Sequence, residues 1–156
     1  MIRVRHVLPI LALLGVLAPP ALAKDLCLQV DIAPGGYSGS HILLEDVSLS
    51  ARKFGPVHGY FARWDSVDHA FRQFFPVDGQ AIVSSKHFLI LGLTMHEILI
   101  YSDATFFEAA RMLAINLACR PGPNGKIGLL DECNGYIFGD TASGHVISCH
   151  DVPPIP

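Results

Sequence analysis

Asp65-Ser66-Val67-Asp68-His69-Ala70-Phe71-Arg72-Gln73-Phe74-Phe75-Pro76 can be read with either of two periods, and the choice decides the fold. Val67, Ala70, Phe71, Phe74 and Phe75 stand at i, i+3, i+4, i+7 and i+8, one apolar face of a helix. Asp65 or Ser66 would accept from the first free N–H groups as N-cap, and Pro76 would stop the helix. The rival reading is a strand built on Phe71, Gln73 and Phe75. The spacing predicts the helix.

A second segment points the same way. Thr105 and Glu108 fit a capping box, in which each side chain answers the other residue's backbone N–H. Phe106, Ala110, Leu113 and Leu117 follow at helical spacing, among good helix formers such as Ala109, Met112 and Ala114. Arg120-Pro121-Gly122-Pro123 ends the run. The fold class expected is therefore α+β: an antiparallel sheet of about five to seven strands packed against helices near residues 66–75 and 105–118. If the first helix is instead a strand, the expectation becomes an all-β barrel or sandwich.

The strands surround these segments. Leu26, Leu28, Val30 and Ile32 alternate with Cys27, Gln29 and Asp31, the pattern of a half-buried strand. Residues 42–51, 57–64 and 79–84 read as further strands. Residues 87–93 are apolar on both faces, as in a strand covered on two sides. Met95-His96-Glu97 interrupts that run, and 98–101 resumes it. Between Gly135 and Cys149 a hairpin is expected, with arms 136–138 and 145–148 and its turn within 139–144. Residues 152–156 form an extended tail, expected to be loose.

Residues 1–23 read as a cleavable signal peptide: Arg3 and Arg5, an apolar core from Val7 to Ala18, then Ala21-Leu22-Ala23. The core is too short to span a bilayer. Residues 24–151 are then one globular domain in the periplasm or outside the cell. Without Arg3 and Arg5 the eleven Lys and Arg become nine, against fourteen acidic residues, a formal charge of −5 with His neutral. No basic cluster offers itself to nucleic acid or anionic membrane. All four cysteines, Cys27, Cys119, Cys133 and Cys149, lie in the mature part and imply two disulfides. A hairpin centred on Thr141 sets Cys133 opposite Cys149, which leaves Cys27 for Cys119. The pairing Cys27–Cys149 with Cys119–Cys133 stays open as the alternative.

No motif names a reaction. Histidine is abundant, but no pair stands at a metal-ligating spacing, and neither a metal nor a cofactor is expected. His96-Glu97 interrupts an apolar run; either the pair reaches water at a strand end or it forms an acid/base site. His58, His96 and His145 are the candidate bases of a small hydrolase. Tyr60, Phe61 and Trp64 belong to an aromatic-dense stretch that could line an apolar pocket. The function expected is a non-enzymatic binding module for an apolar small ligand or an extracytoplasmic protein. A His-dependent hydrolase or metal-binding domain is the alternative.

Overall fold

The computed structural model describes residues 24–33, 38–47, 55–84, 86–101 and 107–154, with the side chains of 97–101 and 107–111 excepted. The expected leader, 1–23, lies outside the described residues. Eight strands follow in chain order: β1 Lys24–Ile32, β2 Ser40–Val47, β3 Gly55–Asp65, β4 Ala70–Val83, β5 Leu89–Tyr101, β6 Phe107–Cys119, β7 Glu132–Ile137 and β8 Asp140–Ile147. Each pairs antiparallel with the next, and β8 returns to β1, so the sheet closes into a barrel. Closure removes the free edges of an open sheet. The β1–β8 seam sets Leu28 opposite Val146 and Ile32 opposite Ala142.

The α+β expectation is thus corrected to an all-β barrel with no α-helix among the described residues; a single 3-10 turn, Cys149–Asp151, follows β8. Both expected helices are strands. In β4, Phe75, Val77 and Ala81 share the inner face with their partners Phe61, Gly59 and Gly55 on β3. In β6, Leu113, Ile115, Leu117 and Cys119 point inward, opposite Met95, Leu93, Leu91 and Leu89 of β5. Leu113 and Leu117, four apart, satisfy both periods. Burial between two neighbouring strands outweighs an intrinsic helix preference of tenths of a kcal/mol per residue. Asp65 does cap, but it caps a turn: its Oδ1 accepts from Val67 N–H at 2.8 Å and Asp68 N–H at 3.2 Å between β3 and β4.

The inner faces fill the barrel. Leu28, Val30, Ile42, Leu44, Phe61, Leu89, Ile115 and Ile137 are all 0 % exposed and belong to one cluster. An eight-stranded barrel has an interior just wide enough for side chains to fill. Each fully buried aliphatic side chain contributes roughly 1.5–3 kcal/mol. β5 is covered on one face only, for Ile90 is 44 % exposed on the outside.

The disulfides join Cys27 to Cys149 and Cys119 to Cys133, which corrects the pairing Cys27–Cys119 with Cys133–Cys149. The cause is the β7–β8 hairpin. It turns on Phe138 and Gly139, both with positive φ (57° and 91°), not on Thr141. Cys133 therefore faces Gly144 on β8, and on its other side faces Cys119 of β6. Cys149 lies beyond β8, where it ties the 3-10 turn to the outer face of β1. The tail, expected to be loose, is held at its start. Val152 is 9 % exposed, and the Tyr60 hydroxyl donates to the Pro153 carbonyl at 2.6 Å.

One part leaves the barrel wall. β4 pairs with β5 only as far as Met95, while β5 and β6 continue together to Tyr101 and Phe107. Past Ala114, whose carbonyl accepts from Phe138 N–H, β6 has no partner but β5 among the described residues. The result is a two-stranded arm about 20 Å long at ~3.4 Å per residue.

Candidate functional site

With the interior filled, chemistry belongs to the outer faces. His58 on β3 faces outward, because its neighbours Val57 and Gly59 are the inward positions. Its cross-strand partners are Glu45 on β2 and Asp78 on β4. Asp78 in turn faces Thr94, and His96 stands two residues further along β5. Four adjacent strands thereby lay Glu45, His58, Asp78 and His96 in one row. His58 Nε2 lies 3.3 Å from Glu45 Oε2, and His96 Nε2 lies 2.7 Å from Asp78 Oδ1. Both pairs are largely open to water, with the His58 side chain 67 % exposed. Surface pairs of this kind hold little energy, but a carboxylate does orient an imidazole and select its tautomer.

The row borders a shallow groove of about 310 Å³, floored by Gly59 and Val77 and walled by Tyr60 and Pro76. Two of the three candidate bases, His58 and His96, meet here. His145 does not. It lies on β8 opposite Gln29 and Glu132, on another part of the wall. Glu97 is placed on β5 opposite Arg111, and its side chain is not among those described. No group of three or more His, Cys, Asp and Glu among the described residues is arranged to hold a metal ion. The groove therefore offers two oriented imidazoles, and the one hydroxyl among its described lining residues, that of Tyr60, already donates to Pro153. Burial, and then the Glu45 carboxylate, push the Tyr60 phenol above its ordinary value of 10.0.

The aromatic stretch divides by parity. Phe61 points into the core at 0 % exposed, while Tyr60 and Trp64 point out. Trp64 packs edge-on to Phe71 with centroids 5.0 Å apart, and Phe71 lies 4.7 Å from the His41 ring. Tyr60, Phe74, Val152 and the Cys149 arm of the disulfide complete this outer cluster. It is a packed layer under the C-terminal strap.

Sequence reasoning missed His41. It is 8 % exposed on β2, and its Nδ1 has no hydrogen-bond partner among the described residues. Burial holds its pKa below 6.5; the Asp151 carboxylate opposes that shift and His145 adds to it. The only signal lay in its place between Ser40 and Ile42, both of which are also buried. Comparison with protein-family models, with curated proteins and with solved structures finds no match to this chain.

Proposed function

We propose that the protein is an exported, non-enzymatic binding module whose ligand or extracytoplasmic partner meets the outside of the barrel. The observation that carries this reading is the filled interior, which leaves a rigid scaffold with its polar groups on the outer wall. Two disulfides fit an oxidising compartment. No helix among the described residues is long and apolar enough to cross a membrane. The interior is apolar, whereas a barrel that faces lipid has a polar one. The side chains that fill the interior among the described residues favour an outer-wall partner over an apolar small ligand.

The second reading is a small hydrolase, favoured by the oriented pairs Glu45–His58 and Asp78–His96. Two measurements separate the readings. The full chain is expressed in a bacterium and fractionated; N-terminal sequencing of the exported form is expected to start at Lys24. The purified protein is then screened against ester, glycoside and peptide substrates beside His58→Ala and His96→Ala. Equal background rates support the binding module. A rate abolished by either variant replaces it with the hydrolase, and an untrimmed cytosolic chain removes the export.

A further inference from the structure

Next to the Glu45–His96 row, with which it shares β4 and β5, a second registered row runs along the outward residues of β4 to β8. Gln80 faces Gly92, Gly92 faces Asn116, Asn116 faces Tyr136 and Tyr136 faces Thr141. One step along the strands, Asn134 faces Ser143. Two open grooves follow these rows, about 580 Å³ and 440 Å³, and they join at Asn134 and Gly135. At ~4.8 Å per strand the row across β4 to β8 spans about 19 Å.

Three properties set this face apart. It is neutral: the smaller groove has no ionisable side chain, and the larger has only Asp31 besides the Tyr136 phenol. Its hydrogen-bonding capacity is unspent. The amides of Gln80, Asn116 and Asn134 and the hydroxyls of Tyr136, Thr141 and Ser143 have no partner among the described residues. It also presents one aromatic ring, Tyr136, 60 % exposed, and, across Asn116 from it, a notch at Gly92, where the nearest atom to an added methyl would be Asn116 Oδ1 at 3.9 Å. Asn is depleted in strands, yet β6 and β7 each present one outward here.

These properties select a ligand class by complementarity. A charged ligand finds no opposite charge along most of the face. An apolar ligand would find Ile82, Ile90 and Ala118 in the smaller groove but would leave the six polar groups around them unsatisfied, at about 1–3 kcal/mol each. A neutral polyol satisfies them, because every hydroxyl both donates and accepts, as amides do in pairs. The C–H face of a sugar ring also stacks on an exposed tyrosine, and the notch lets the chain approach the sheet closely. We infer that the outer face of β4–β8 binds a neutral glycan chain laid across the strands, Tyr136 stacking on a sugar ring and Asn116 and Asn134 reading its hydroxyls. This inference rests on the binding-module reading and names its ligand.

The test uses the disulfide-intact protein, titrated calorimetrically and by NMR with hexasaccharides of β-1,4-glucose, β-1,4-N-acetylglucosamine and α-1,4-glucose. A hexamer of galacturonate serves as the anionic control. At least one neutral hexamer is expected to shift the Asn116 and Asn134 side-chain amides. Tyr136→Ala and Asn134→Ala are expected to weaken that binding about tenfold or more, while Tyr136→Phe keeps the stack and most of the affinity. The melting temperature of each variant is expected to stay at the parent value, since all three substitutions fall on the outer face. The inference is overturned if no neutral hexamer shifts these signals at millimolar concentration, if galacturonate binds as well, or if the shifts map to the His58 groove. Those results leave the binding module itself standing, which falls only to the substrate screen and the fractionation.

Discussion

His41 is the residue at which the barrel's stability meets pH. Its ring lies 8 % exposed, with Nδ1 unpaired among the described residues, so the folded protein disfavours its charged form. The folded pKa is below the unfolded value of 6.5. The unfolded chain therefore takes up the proton first as pH falls. His41 is neutral in both states well above pH 6.5; below it, stability is lost until pH passes the folded pKa. His41→Phe keeps the ring contact with Phe71 and removes the titration. Melting curves at pH 7.5 and 5.0 are expected to differ less in the variant than in the parent. A second residue carries backbone strain. Leu130 has φ 66° and is 76 % exposed, so its side chain contributes little packing to offset a left-handed backbone. Leu130→Asn tolerates that conformation and is expected to stabilise by about 0.5–1 kcal/mol in urea unfolding. At this scale the sequence is half legible. The capping role of Asp65 is readable from its type and its neighbours, though the element it caps is not. Phe138 is not readable as a turn residue, because a bulky side chain at positive φ is uncommon.

Among the elements, β1 can be read directly, since Leu26, Leu28, Val30 and Ile32 alternate cleanly and all four are buried. β4 and β6 cannot. Phe71, Phe74 and Phe75 are spread over both faces of β4, because its outer side packs on Trp64, Tyr60 and their neighbours. A strand with apolar residues on both faces loses its period of two, and what remains mimics a helix. Placing the β7–β8 turn at Thr141 shifts the hairpin register, and with it the cysteine pairing. The cross-strand rule holds, but between β6 and β7, where Cys119 and Cys133 are direct partners with Cα atoms 3.9 Å apart. The His58–Asp78–His96 row needs three strands in register, which no local pattern reports. Tight crossing of β2 and β3 makes a further prediction. A Cβ on Gly59 would run into the Leu43 carbonyl of the neighbouring strand. Backbone is the obstacle and cannot rotate away, so Gly59→Ala is expected to cost about 3 kcal/mol or more, read as a lowered urea midpoint.

For the whole molecule, the two disulfides do different work. Cys119–Cys133 spans 14 residues and Cys27–Cys149 spans 122. In the chain-entropy model they contribute roughly 3 and roughly 5 kcal/mol. Cys27→Ser with Cys149→Ser is expected to lower the melting temperature by roughly 15 °C, and Cys119→Ser with Cys133→Ser by less, unless the buried hydroxyls add their own cost. Scanning calorimetry of the two double variants checks the order. The longer bridge and the β1–β8 seam share a further property: each joins the first residues of the barrel to the last. A ribosome delivers the chain from one end, so β1 waits for every other strand with one side bare and Cys27 without its mate. The ring can shut only once β8 and Cys149 have been delivered, which makes residues 140–149 the timing step of the fold.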